Sequence, residues 1–482
     1  MNKRLALVLC SAMAVMLPSA QQPNDVRSSF DEFRKGLLEN YKSFREDILG
    51  DYAKFLDGVW VEYKGFKGME RDNTPKPILP PTADGVPGQV DTPKPELDTP
   101  EPIADPPKPP KENPAPKEPG KFAFDFHGVT MEIPQMEIKL MERVSAPSDF
   151  AAQWRSFDSN ADVKRLTNDI EALAKEHNFN DYLTYDLATA YTHARFAGSS
   201  PSARTSLVHY IMAHLGYDVR LGVNGAGQAL LMFPSKQTIY GHLFIKLGNE
   251  KYYVFTDPAV TLSQSDMSFY TCDLPAAASQ AAKLDLRLKP LKIPYEAKEY
   301  SVSFGGIEIK GETNAKLYPF LYKYPQMPIA DYADSELLPD LRADVVRQLK
   351  EQLADKERDE AVDKLLQFVQ SGFEYATDGE YHGFEKPYFF EEILYYPKCD
   401  CEDRVIFYTY LLWNVLGVEN HLLAYPGHES AAVSLPGRTG GDAYTYDGRT
   451  FLISDPTFIG SKTGMCMPNY KTTTPEIDHI YK

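Results

Sequence analysis

Positive charge is in short supply in this sequence. The 482 residues include 51 lysines and arginines against 68 aspartates and glutamates, a formal charge of −17. That balance weighs against a nucleic-acid binder or a protein held on an anionic membrane surface. Cysteine is scarce, at five residues, and Cys10 falls inside the N-terminal apolar run. The other four, Cys272, Cys399, Cys401 and Cys466, are few for a disulfide-built scaffold, and a body of this size does not need one. Zinc-type spacing is lacking too. Cys399, Cys401 and His428 have no second paired cluster to complete a site, so neither a metal nor an organic cofactor is expected. Beyond the first 20 residues, no stretch approaches the roughly 20 apolar residues of a membrane-spanning helix.

What is present begins with an export signal. Lys3 and Arg4 precede the apolar run LALVLCSAMAVML, and small residues follow near Ala20. Residues 1–20 therefore read as a cleaved signal peptide, and the mature protein is expected to be soluble, either periplasmic or secreted. The length predicts two or three domains, and 30 tyrosines with 26 phenylalanines can fill their cores. From Phe30 through Leu37, Phe44 and Tyr52 to Val59, apolar residues recur every three or four positions. This stripe predicts a helical arm over 25–68, docked on the body or offered to a protein partner. Residues 74–119 hold sixteen prolines, with TPKP twice, and read as a disordered, polyproline-like linker.

From residue 121 two segments echo one another. FDFHGVTMEI (124–133) and VSFGGIEIKG (302–311) each read as alternating strands. Each is followed by helical sequence, then by a helix closing on Leu-Gly, TSLVHYIMAHLG and VIFYTYLLWNVLG. Each half ends in an aromatic strand and Asp-Pro, KYYVFTDP and RTFLISDP. The pattern predicts an α+β protein with a degenerate duplication, its halves being 121–300 and 301–482.

The chemistry concentrates in the second half. CDCEDR opens a helix at Cys401, Gly427-His428 precedes a small-residue strand, and Asp455 ends another strand. A helix N-terminus favours a thiolate, an imidazole can take the thiol proton, and a carboxylate can fix that imidazole's tautomer. Glu402 and Asp403 oppose the thiolate, although acids in a first turn are also what a helix start favours. A zinc site is the competing reading, whereas a structural disulfide from Cys399 to Cys466 is compatible with this arrangement, since it leaves Cys401 free.

In this order, DCEDR before a helix ending in LG, GH before a small-residue strand, and DPT after an apolar strand resemble the bacterial transglutaminase-like superfamily. The resemblance is clearest over 365–470 and extends plausibly over 300–482. The wider layout is similar to exported proteins of Bacteroidetes-type bacteria. The resemblance implies a papain-like fold in each half. It also implies Cys401 as nucleophile, His428 as general base and acid, and Asp455 as the orienting group. The Cys401 N–H would supply part of an oxyanion hole, with Gln370 or Tyr375 as candidates for the second donor. In the first half His242 and Asp257 take the matching places, while the thiol position falls at Ser200, implying an inactive copy. The expected activity is acyl transfer on peptide or amide bonds through a thioester, with hydrolysis favoured over crosslinking. The alternative is a non-catalytic binding or assembly protein.

Overall fold

Alternating apolar residues open each half of the body, and each alternation forms a hairpin. In the computed structural model, which describes residues 49, 52–71, 76, 79–83, 120–262, 267–272 and 282–482, Lys121–Phe126 pairs antiparallel with Val129–Pro134. Ala297–Phe304 pairs in the same way with Ile307–Asn314. The turns are His127-Gly128 and Gly305-Gly306, all four residues with positive φ. Two such residues match the twist of a tight hairpin, which accounts for the glycines.

Helices follow each hairpin. The first half has Pro147–Asp158, Ala161–Glu176, Asp181–Arg195 and Pro201–Leu215. Asn160, Asn180 and Ser200 cap the last three by accepting bonds from backbone N–H groups inside the helix. The second half has Pro339–Leu353, Arg358–Gly372 and Cys401–Leu416, with shorter helical turns between. Pro201–Leu215 and Cys401–Leu416 have no single apolar face, and both are buried on nearly every side, polar residues included. Gly216 and Gly417, both left-handed, end them.

After its buried helix each half lays down five antiparallel strands. In the first they are Arg220–Asn224, Ala229–Pro234, Phe244–Leu247, Glu250–Thr256 and Ser268–Cys272. In the second they are Asn420–Tyr425, His428–Val433, Ala443–Tyr446, Arg449–Ile453 and Glu476–Tyr481. Both sheets place them in the order third, fourth, second, first, fifth. One difference separates them. Trp60–Phe66 pairs with Ser268–Cys272 along one edge of the first sheet and with Phe244–Leu247 along the other, closing a six-stranded barrel.

This strand corrects the reading of 25–68 as a helical arm. Residues 52–56 are helical, but 60–66 are extended; the positions from 25 to 48 lie outside the described residues. Two open sheet edges offer rows of unpaired N–H and C=O groups, and an aromatic segment fits them better than a further helical turn. Gly65 makes the approach possible, since a Cβ there would lie 2.4 Å from the Phe269 ring.

The reading of 74–119 as a free linker also needs correction at its start. The Lys76 side chain is buried, and the short bridge at Thr82 runs parallel to Ile459. Ala83 N–H donates to Ile459 O at 2.9 Å, and Ile459 N–H donates to Pro81 O at 2.8 Å. Proline lacks a donor but keeps its acceptor, so Pro81 can join such a bridge. Residues 55–482 fall in one compact unit. Among the described residues no helix is long and apolar enough to cross a membrane.

Candidate active site

The buried helices set the comparison between the two halves. Cys401 is the first helical residue of one and Pro201 of the other, and each helix carries a buried arginine three residues on, Arg404 and Arg204. The counterpart of Cys401 is therefore Pro201. Ser200 occupies the capping place held by Asp400 in the second half. His428 starts the second strand of its sheet, whose counterpart starts at Ala229, whereas His242 precedes the third. The Gly-His pair recurs in sequence but sits before a different strand.

Asp257 and His242 consequently do not form the expected pair. Arg204 takes the Asp257 carboxylate through both oxygens, Nε to Oδ2 at 2.8 Å and Nη2 to Oδ1 at 2.7 Å. The Ala259 N–H adds a bond at 2.9 Å. His242 packs its ring against Phe255, and burial lowers its pKa to about 4. The first half holds a structural ion pair where the second holds its histidine–aspartate pair. Asp257→Ala should accordingly destabilise the chain by about 3–5 kcal/mol, because Arg204 stays buried without its counter-charge. Chemical denaturation measures this, and a loss under about 1 kcal/mol would show the pair to be dispensable.

In the second half His428 and Asp455 come together. His428 follows a Pro426-Gly427 turn, with Gly427 at φ 74°, and pairs across the hairpin with Tyr425. Asp455 follows the neighbouring strand, whose Ser454 N–H bonds Ala431 O at 2.8 Å. His428 Nε2 lies 2.7 Å from Asp455 Oδ2, both side chains being buried. Asp455 Oδ1 accepts the N–H groups of Thr457 and Phe458, which fixes the carboxylate. Tyr470 stacks on the His428 ring at 5.4 Å.

Cys401 is placed by what surrounds its helix start. Arg404 donates to Gln370 O at 3.0 Å, to Phe373 O at 2.9 Å and to Cys399 Sγ at 3.4 Å, tying the helix to the preceding one. Asp403 accepts from Asp400 N–H and from Tyr388 N–H. The thiol itself donates to Glu402 Oε2 at 3.1 Å and shares no hydrogen bond with His428. All four described cysteines are free thiols, so Cys399 and Cys466 are not bridged.

Of the two candidate oxyanion donors, Gln370 is otherwise committed. Its Nε2 donates to Asp455 O at 3.0 Å, Phe458 O at 2.8 Å and Ser461 Oγ at 3.0 Å. It positions the aspartate loop. Tyr375 is close enough to Cys401, Asp400 and Glu402 for their charges to raise its pKa further, after burial has done most of it.

An acidic recess adjoins the thiol. Asp378, Glu385, Asp400, Cys401, Glu402 and Asp403 form three overlapping groups whose ligand atoms lie within 4.8 Å of one another, geometry that could hold a cation. Two cations of the chain lie among the carboxylates. Arg71 bonds Glu385 at 2.8 Å, Glu402 at 2.5 Å and Glu429 at 3.4 Å. Lys76 bonds Glu385 at 3.0 Å and Asp400 at 2.9 Å, and also bonds Glu402. Burial opposes ionisation of Glu402, but Lys76 and Arg71 outweigh it and hold that carboxyl well below its usual range. Burial, then Glu402, pushes Asp400 well up; burial also raises Glu429, against Arg71.

Burial likewise raises the Cys401 thiol well above its usual range. Glu402 and Asp400 add to this, while Lys76 and the Glu429 N–H oppose it. The helix N-terminus does not by itself make the thiolate. Iodoacetamide at pH 7 should therefore modify Cys401 far more slowly than an unperturbed cysteine of pKa about 8.5, with the rate climbing beyond pH 9. A fast reaction at neutral pH, read by mass spectrometry of the labelled peptide, would show a thiolate in the folded chain.

Arg71, Lys76, Glu385 and Tyr470 had no place in the sequence reading of the site. The available signal was the DCED run itself, since four ionisable side chains opening a buried helix need a counter-charge from elsewhere. Comparison with protein-family models, curated proteins and solved structures gives no match for this chain.

Proposed function

We propose that the chain is an exported, transglutaminase-like cysteine enzyme that transfers acyl groups from peptide or amide bonds through a thioester, hydrolysis being favoured over crosslinking. The observation that supports it is the buried His428–Asp455 pair at 2.7 Å, in the sheet packed on the helix that begins at Cys401. Asp455 on Nε2 leaves Nδ1 as the nitrogen to accept the thiol proton. Sulfur then attacks the carbonyl carbon, and the oxyanion forms against the Cys401 N–H. The imidazolium returns its proton to the leaving amine, giving the thioester, which water or a second amine opens.

A binding or assembly role is the second reading. The thiol's bond to Glu402, its raised proton affinity and its burial favour that reading. Labelling with a thiol-directed acyl probe separates them. An enzyme requires Cys401 to be acylated faster than Cys272, Cys399 and Cys466, and His428→Ala to slow that reaction. Equal labelling in the His428 variant would leave only the binding reading.

A further inference from the structure

Cys401 is 1 % exposed, and the side chains that neutralise its neighbours come from far up the chain. Arg71 and Lys76 are buried to within 6 % and 7 % of full cover. Both converge on Glu402 and Glu385, and each adds a further carboxylate, Glu429 for Arg71 and Asp400 for Lys76. Beyond them the bridge at Thr82 fastens the chain to Ile459, just past Asp455. Arg71 and Lys76 are thus held at the helix start, and Thr82 at the aspartate loop.

The recess has more acceptors than these two side chains use. Glu429 Oε2 is buried without a hydrogen-bond partner. Glu385, the most exposed of the carboxylates that Arg71 and Lys76 contact at 33 %, also lines a cavity of about 310 Å³ with Tyr240, His242, Tyr324 and Gln326. The cavity thus reaches the clustered carboxylates at Glu385. A guanidinium and an ammonium a few residues apart match what they need, whereas a neutral or acidic segment would leave buried charge uncompensated.

We propose that this recess is a subsite for a peptide segment carrying arginine and lysine side chains. Arg71 and Lys76 fill it internally in the resting chain, and acyl transfer from a peptide or protein, though not from a small probe, requires their displacement; only this last clause rests on Cys401 being the nucleophile. Glu402 links the two events. It accepts the thiol proton's bond on Oε2 and the cations on Oε1, so whichever cation occupies the recess sets the charge beside the sulfur.

The test compares the full chain with Arg71→Ala/Lys76→Ala. Cys401 labelling is read as the ratio of rates for a bulky biotinylated iodoacetamide and for iodoacetamide, which cancels any change in thiolate fraction. The ratio should rise at least about tenfold in the double variant if the segment covers the site. A fluorescent peptide of residues 69–83 should bind the double variant and restore the low ratio. Binding should be at least about tenfold tighter than for the same peptide with glutamine at both basic positions, and should weaken with salt. Because loss of two buried cations can unfold the chain, circular dichroism is recorded, and Lys76→Ala alone, which leaves Arg71 on Glu402, supplies the same comparison. An unchanged ratio and no preference for the basic peptide in a folded variant overturn the subsite. Peptide binding retained when Cys401→Ala is added to the double variant, with labelling of the double variant that ignores His428, keeps the subsite and removes the enzyme reading. His428-dependent labelling without peptide binding does the reverse.

Discussion

Asp455→Asn should leave the chain folded and reduce acyl transfer by about 10²–10⁴-fold. The expected size follows from the bonds that Asp455 makes. Oδ1 accepts two backbone N–H groups, from Thr457 and Phe458, and Oδ2 faces His428 Nε2 at 2.7 Å. An asparagine keeps the first contacts with its carbonyl, which forces its NH₂ toward the imidazole. His428 must then accept on Nε2 and carry its proton on Nδ1, the nitrogen needed for the thiol proton. The fold loses little, because the loop bonds remain and Gln370 still holds Asp455 O. Acylation rate and thermal midpoint, measured on the same preparation, separate chemistry from stability. Wild-type turnover in the amide variant would reduce Asp455 to a turn residue.

Cys401→Ala should abolish acylation outright at a stability cost of about 1 kcal/mol or less. The side chain sits at the first helical position, where alanine is fully compatible with helix. Its thiol donates to Glu402, which keeps Arg71 and Lys76. The helix start is held by Arg404 and Asp403, and neither depends on the sulfur. A folded alanine variant that still forms a covalent adduct with the acyl probe at the same peptide would place the nucleophile elsewhere. A variant that fails to fold would mean that the thiol–Glu402 contact matters more to the acidic recess than its chemistry suggests.

Much of the local structure could be read from sequence because its causes are local. Alternation at 121–134 and 297–314 gives hairpins, with glycine where the turn demands positive φ. Leu-Gly ends both buried helices, since the last turn needs a left-handed residue. His428 and Asp455 were legible as a pair because one sheet carries both and their separation along the chain is short.

Tertiary structure decided what depends on pairing across the chain. Whether 60–66 is helix or strand depends on two sheet edges assembled from residues beyond 240, which no local period records. His242 and Asp257 carried the right residue types, yet strand order put the histidine before the wrong strand and gave the aspartate to Arg204. The charge state around Cys401 was likewise beyond local reading. A helix N-terminus favours the thiolate, but burial, Glu402, and cations arriving from more than 300 positions away set the balance. Sequence by itself determined which residue types stand ready at 401, 428 and 455. Folding decided which of them touch, because a hydrogen bond or an ion pair is a fact of distance and dielectric, and both are set only once the remote segments have packed.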